Sequence, residues 1–363
     1  MAEAPDRAHM ARALALAARG LYTTSPNPRV GCVVARGERV LGEGWHERAG
    51  LPHAERLALD DARAKGHDPR GATVYVTLEP CNHTGRTPPC VDALIDARVG
   101  RVVAAMADPN PAAAGGAARL RDAGIAFETG LLEDEARALN PGFVSRMTRG
   151  RPWVRVKIAA SLDGRTALAN GTSQWITSPE ARADGHAWRA RACAILTGIG
   201  TVRDDDTELT VRAVPTTRKP LRIVVDRHAE TPPHAKVLAG GGTLVVTARE
   251  VNAAWPAGTR SLVLPDANGR VDLAALMQEL ALDGINELHV EAGARLNGAL
   301  LDAGLVDEVV CYLAPMLLGE PARGMFQRAA PLEDLGARTP LSIASVERIG
   351  PDLRIVARVH GSR

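Results

Sequence analysis

The 363-residue chain carries 44 Lys and Arg against 42 Asp and Glu, a formal net charge of +2, and only 3% of its residues are aromatic. Such a balance excludes the strongly basic surface of a phosphate-backbone binder, and so few rings leave few stacking platforms for single strands. At roughly 100–200 residues per domain the length predicts two domains, with cores built mainly from Ala, Val, Leu and Ile.

Asp6 is placed to cap a first helix whose apolar positions are Met10, Leu14 and Ala17 and which ends at Gly20. Val30–Ala35 and Arg39–Leu41 flank Arg36-Gly37 as a hairpin. A helix follows over His53–Lys65, then a buried strand over Thr73–Leu78. Beyond a Pro-rich loop come a helix over Cys90–Ala97, a strand over Arg101–Ala105, a helix containing Arg119–Ala123 and a strand over Ile125–Thr129. Helices alternating with strands predict a three-layer α/β/α domain. Asn140–Pro152 has two prolines, two glycines, Arg146, Arg149 and Arg151 but little periodicity, so the domain boundary is expected there, giving domains 1–147 and 148–363. A second alternation follows. Strands are predicted over Trp153–Ala160, Ala194–Thr197, Leu221–Asp226, Thr243–Thr247, Glu287–Glu291 and Glu308–Leu313, with helices over Pro179–Arg191 and Leu273–Leu282 among them.

Five cysteines, Cys32, Cys81, Cys90, Cys193 and Cys311, are an odd set without the spacing of a disulfide scaffold. No run approaches the ~20 apolar residues of a membrane span, and Met1–Gly20 has no apolar core of signal-peptide type. A soluble cytoplasmic protein with reduced thiols is expected.

The strongest chemical signal is His53-Ala54-Glu55 followed by Pro80-Cys81 and then Cys90. A catalytic zinc takes three protein ligands and keeps one position for water, whose pKa it lowers. His53, Cys81 and Cys90 supply that set, and Glu55 is the carboxylate left over to move protons. Successive helical residues are roughly 100° apart, so His53 and Glu55 reach one site only if His53 stands at or before the first turn. Cys90 falls where the next helix starts, a position that favours a thiolate. The pattern is that of zinc deaminases, H-x-E then P-C-x-x-C, with eight residues rather than two between the cysteines. Two other readings remain open at this point: a closed structural site with His83 as fourth ligand, and unconnected core cysteines.

On these runs, together with Asn27–Val33, Asp108–Pro111, Lys157–Ala167, Ser173–Thr177, Gly198–Val202 and Glu291-Ala292-Gly293, the chain resembles the bifunctional riboflavin biosynthesis deaminase–reductases over nearly its whole length. The resemblance implies a cytidine-deaminase-like first domain that uses Zn2+ and a dihydrofolate-reductase-like α/β second domain that uses NADPH. It implies His53, Cys81 and Cys90 as zinc ligands, Glu55 as proton shuttle and Asn27 beside the pyrimidine. In the second half it implies Ala159, Trp175, Thr201, Asp205 and the run Gly293, Ala294, Arg295, Leu296, Asn297, Gly298 and Ala299 as cofactor contacts. Ser173, Arg189, Leu209, Arg212 and Glu291 would face the substrate, a phosphorylated pyrimidine. The chain departs from the family pattern at Ala113 and Ala117, at Thr207 where Pro is common, and at Arg227 where a small hydroxyl residue is common. A homo-oligomer, dimer or tetramer, is expected, with neither nucleic acid nor membrane as partner.

Without the resemblance the second half says less. No G-x-G-x-x-G follows a predicted strand. Gly198-Ile199-Gly200 reads as a turn after a strand, and Gly293 as the point where a strand gives way to a helix whose free N–H groups can hold phosphate. Arg189 and Arg212 are of the type that clamps a phosphate bidentately. The competing functions are a nucleoside or nucleic-acid deaminase with an accessory domain, and a zinc-stabilised binding module.

Overall fold

The computed structural model describes residues 4–85, 88–250 and 254–361. The chain divides into two compact units, Met1–Thr148 and Arg149–Arg363.

The first unit runs α1 (Ala4–Ala18), β1 (Gly31–Arg36), β2 (Arg39–Trp45), α2 (Ala54–Ala64), β3 (Thr73–Val76), α3 (Cys90–Asp96), β4 (Arg101–Ala104), α4 (Gly116–Asp122), β5 (Ala126–Thr129) and α5 (Glu133–Leu139), with α6 (Pro141–Arg149) reaching the division. Its sheet has the order β2-β1-β3-β4-β5. β1 pairs antiparallel with β2 and β3, and β3, β4 and β5 are parallel. Helices cover both faces. A Cβ on Gly31 would stand 2.0 Å from Ala13 O of α1, whereas on Gly42 it would stand 2.4 Å from Ala58 O of α2. Gly31 and Gly42 are an odd number of residues from a common face, since Gly42 pairs with Val34 and Gly31 with Trp45. A sheet buried on both faces suits the short Val-rich strands β3 and β4, whose Val74, Val76 and Val102 are fully buried.

Two local expectations need correction here. Asp6 does not cap α1: it lies in the first turn, buried, and its carboxylate accepts hydrogen bonds from Tyr75 and Arg101. The stretch after Asn140 is not irregular, because Pro141 opens α6, which buries Gly142, Phe143 and Ser145.

The second unit runs β6 (Trp153–Ser161), β7 (Arg165–Ala167), α7 (Pro179–Arg191), β8 (Ala194–Gly198), α8 (Ile199–Asp205), β9 (Leu221–Val225), β10 (Thr243–Thr247), β11 (Thr259–Val263), α9 (Leu273–Leu282), β12 (Glu287–Val290), α10 (Ala294–Asp302), β13 (Glu308–Ala314), β14 (Arg323–Gly324), β15 (Leu341–Ile349) and β16 (Asp352–Val359). Among the described residues the large sheet has the order β11-β10-β9-β8-β12-β6-β13-β16-β15. It is parallel from β11 to β13, and β16 and β15 continue it antiparallel. From β6 the chain steps out through β8 to β11, then returns to insert β12 between β8 and β6. The carboxyl ends of those three strands therefore meet at a change of direction, where open α/β sheets bind ligands. Ser178 and Asp272 cap α7 and α9 by accepting from the N–H groups of Ala181 and Ala275, which explains why both helices start as the sequence predicts. Gly198-Ile199-Gly200 is not a turn but the start of α8.

Candidate active sites

In the first unit, α2 lies close over the hairpin because Gly42 and Gly44 offer no Cβ to hold it off. This brings its amino end toward the carboxyl end of the central strand β3, where the start of α3 also arrives. His53 is the N-cap of α2, in extended conformation (φ −77°, ψ 165°), and Glu55 lies in the first turn. The geometric condition read from the sequence is thereby met. His53 Nδ1 lies 3.2 Å from Cys90 Sγ and 3.6 Å from Cys81 Sγ. Among the described residues this trio is the cluster able to hold a metal, its three donor atoms within 4.8 Å of one another. Tetrahedral zinc with bonds of about 2.0–2.3 Å needs ligand separations of roughly 3.5 Å, so the donor set fits. His83 is exposed and outside the cluster, which leaves a coordination position open.

The electrostatics divide the labour. The Cys90 thiol and the backbone N–H at the start of α3 both donate to Cys81 Sγ and hold it as thiolate, down to about 4, while Cys90 is pushed up. Burial, with the Cys81 charge adding to it, pushes the Glu55 carboxyl up to about 7. Glu55 is thus poised near neutrality beside the trio without belonging to it. Asn27 Nδ2 is 3.1 Å from His46 Nε2, and the His46 ring meets that of His53 edge-on at 5.2 Å. Asn27 accordingly stands one ring away from the trio.

In the second unit a cleft of about 1790 Å³ opens at the carboxyl ends of the parallel strands. It brings together Ala159, Ser173, Trp175, Arg189, Thr201, Asp205, Leu209, Arg212, Glu291 and the run from Gly293 to Ala299, with the exception of Gly298. A Cβ at Gly298 would lie 1.9 Å from Gln327 O, so the glycine lets α10 pack closely there. Ser173 Oγ donates to Asp205 Oδ1 at 2.8 Å, and the exposed Trp175 ring is covered by the Arg182 guanidinium at 4.4 Å. Gly293 caps α10, whose first N–H groups have no partner within the helix. The buried Asn297 amide donates to Ala292 O and Met325 O and leaves Oδ1 as a free acceptor. Backbone donors, an orphaned acceptor and an open strand-end cleft together suit a dinucleotide.

The two arginines read as a phosphate clamp behave differently. Arg189 is spent on Glu291, which it grips with two nitrogens, and on Thr210 O. Burial would raise the Glu291 carboxyl, yet Arg189, His289 and Lys157 hold it well below the usual carboxylate range. Arg212 is exposed and paired with Glu208. Lys157 is a cleft residue that no sequence assignment included. Its signal was present: in Trp153–Ser161 the charged Arg155 and Lys157 alternate with buried Val154, Val156 and Ile158, marking one face of a central strand as polar.

Comparison with known proteins bears on both sites. Residues 152–355 match the RibD C-terminal domain, and residues 3–106 match the cytidine and deoxycytidylate deaminase zinc-binding region. The riboflavin biosynthesis protein RibD of Escherichia coli is 49% identical over 96% of this chain and 98% of its own length. The chain belongs to the RibD family. The Aquifex aeolicus RibD is 42% identical over 96% of the chain and 97% of its own length. Among solved structures, Acinetobacter baumannii RibD superposes with a TM-score of 0.90 at 42% identity, covering 98% of this chain and 99% of that one. A Thermotoga maritima protein described as a diaminohydroxyphosphoribosylaminopyrimidine deaminase/5-amino-6-(5-phosphoribosylamino)uracil reductase gives 0.89 at 34% identity, with the same coverage. As a RibD the chain is a bifunctional deaminase and reductase of riboflavin biosynthesis, taking zinc in the first activity and NADPH in the second.

Proposed function

We propose that residues 1–147 deaminate 2,5-diamino-6-ribosylamino-4(3H)-pyrimidinone 5′-phosphate, and that residues 148–363 reduce the ribosyl group of the product to ribityl. The observation that carries the reading is the His53, Cys81 and Cys90 trio with the buried, non-ligating Glu55 beside it. His53 Nδ1 and the two sulfurs would hold the zinc, which supplies the Lewis acidity that makes water nucleophilic near pH 7. Glu55 takes a proton from the attacking water and passes it to the exocyclic amine, which departs as ammonia from the carbon the water oxygen has joined. Asn27, positioned by His46, orients the pyrimidine.

In the second domain NADPH supplies the hydride, which no side chain can give. The free N–H groups at the start of α10 bind its phosphates, Asn297 Oδ1 accepts from a donor group of the nucleotide, and Ala159, Trp175, Thr201 and Asp205 flank it. Ser173, Leu209, Arg212 and Glu291 face the substrate, with Arg189 holding Glu291 in place and the exposed Arg212 free to swing from Glu208 to a phosphate. No helix among the described residues is long and apolar enough to cross a membrane, and the near-neutral net charge of +2 suits an enzyme of small molecules rather than of nucleic acid. A homo-oligomer, dimer or tetramer, suits the outermost strand β15, which exposes Leu341, Ile343 and Val346 along an unpaired edge; light scattering gives its mass directly.

Metal analysis with stepwise turnover tests the assignment. Stoichiometric zinc, ammonia release without NADPH, and NADPH oxidation only after deamination are expected. Ammonia released from cytidine or oligonucleotides but not from the pathway phosphate would overturn it.

A further inference from the structure

Along β12 the side chains alternate: Leu288 and Val290 enter the apolar core, while Glu287, His289 and the following Glu291 face α7. β6 places Arg155 and Lys157 beside them, since His289 pairs with Arg155 and Val290 with Val156. Two ion-pair centres result. At the amino end of β12, Arg155 and Arg191 neutralise Glu287 at 3.1 and 2.7 Å, and Arg155 also pairs with Glu308. At the carboxyl end, Arg189 holds Glu291 with two nitrogens at the cleft, which Lys157 also lines.

His289 lies between these centres, fully buried. Its Nε2 is 3.3 Å from Glu291 Oε1 but off the line of a hydrogen bond, and among the described residues neither ring nitrogen has a hydrogen-bond partner. Buried polar groups are satisfied as a rule, so an imidazole left open behind a cleft carboxylate calls for a role. Burial, with Arg155 and Arg189 adding to it and Glu291 opposing, holds the ring below the usual histidine range. A neutral ring carries one N–H, and Nε2 is the nitrogen that reaches Glu291. The backbone of Glu291 is fixed: its N–H donates to Leu196 O at 2.9 Å, and its carbonyl accepts from Thr197 Oγ1 at 2.7 Å. The freedom lies in the side chain, whose terminal torsion is broad. A turn of the carboxylate puts Oε1 on the Nε2–H line and resets the direction that the other oxygen presents to the cleft.

We propose that His289 is a positioning residue of the reductase, setting from behind the direction in which the Glu291 carboxylate meets the substrate. The proposal rests on the reading of Glu291 as a substrate-facing residue and adds the group that aims it. Besides Arg155 and Glu287, the titratable and charged groups around Glu291 and its partner Arg189 are Lys157 of β6, His186 of α7, Glu208 and Arg212 after α8, and Cys311 of β13. All of them stay in place when only residue 289 is changed, so a difference in pH profile reports His289.

The test is reduction of pre-deaminated substrate by the full-length zinc-loaded protein, followed against pH. His289→Leu removes the N–H that favours the charged carboxylate. The KM for this substrate should rise about tenfold, with the KM for NADPH changed less than about twofold. The acid limb of kcat/KM should move up by about one pH unit, because Glu291 then takes its proton at higher pH. His289→Gln, which keeps an N–H donor, should restore both. A wild-type KM and acid limb in the Leu variant overturn the proposal. So does a Gln variant as impaired as Leu, or an equal loss for substrate and NADPH, either of which makes His289 a packing residue. Nitrogen NMR of the histidine rings in the wild-type protein, assigned with the Gln variant, gives a check that needs no stable Leu variant. The His289 ring should be neutral with its proton on Nε2, and should shift with the reduced product but not with NADP+ alone; a proton on Nδ1 overturns the proposal. If the wild-type protein does not reduce the pre-deaminated substrate, the reading of the cleft fails first and the proposal falls with it.

Discussion

A carboxylate that shuttles protons beside a metal must be near the ion yet kept from ligating it. In the proposed mechanism Glu55 would meet this by sitting in the first turn of α2, while the proposed ligand His53 stands just outside the helix as its N-cap. Glu55→Gln removes the proton-carrying oxygen but not a ligand. It should keep full zinc and lose about 10²–10⁴-fold in deamination, with NADPH oxidation on pre-deaminated substrate unchanged; metal analysis beside the two assays checks this, and loss of zinc would show that Glu55 is a ligand after all. Cys81→Ser replaces the sulfur that the start of α3 holds as thiolate, and should lower bound zinc and deamination together. That His53, Cys81 and Cys90 would come together was legible in the sequence because catalytic zinc restricts both residue type and order. The cleft residues were legible chiefly through resemblance, since Arg189 and Arg212 look alike until the partners Glu291 and Glu208 are seen. Gly298 shows the limit: within a conspicuous run, the sequence gives no sign of the close approach to Gln327 that requires a glycine there.

At the scale of elements, the deaminase site depends on how closely α2 can lie on β2. A Cβ on Gly44 would meet Ala58 N at 2.6 Å, Leu57 Cβ at 2.7 Å and Ala54 O at 2.8 Å, all within α2. Gly44→Ala should therefore cost ~2–3 kcal/mol and displace the turn that carries His53 and Glu55. Zinc content and deamination should fall more than reductase activity, with thermal unfolding reporting the stability loss. On the other face α1 is tied down by Asp6, whose carboxylate is held below its usual range by the Arg101 hydrogen bond, with Tyr75 adding to it and burial opposing. A depressed carboxyl stabilises the fold fully above its ordinary pKa of about 3.9 and loses that contribution as pH falls below it. Asp6→Ala should cost about 2 kcal/mol at pH 7, and the gap to wild type should narrow near pH 3 in parallel melts. Elements with caps or unbroken apolar runs, such as α7, α9 and β10, were legible. The outer strand β15 was not: its residues are mostly exposed and a register shift between Ile343 and Ser345 breaks the period of two. Helix α6 was hidden by the Pro141-Gly142 pair that opens it, read as irregular although Pro suits a first helical position.

For the whole molecule, the division at Thr148/Arg149 puts His53, Cys81, Cys90 and Glu55 in one unit and the cleft residues in the other. Each unit has its own core, centred on residues such as Val33 and Leu59 in the first and Val156 and Leu288 in the second. A ligand that binds only the folded state stabilises it by RT ln(1 + [L]/Kd), about 4 kcal/mol at a thousandfold excess over Kd. For a unit of this size that corresponds to roughly 10 °C in melting temperature. Zinc can contribute this only to the unit that contains His53, Cys81 and Cys90. Scanning calorimetry of the full chain should thus show two transitions, of which chelation lowers one by roughly 10 °C and NADP+ raises the other. Deamination should vanish on chelation and return with added zinc, while reduction of pre-deaminated substrate continues throughout. A single transition that moves as one with either ligand would instead mean that the two units unfold cooperatively, and the two activities would then share stability although they share no residue.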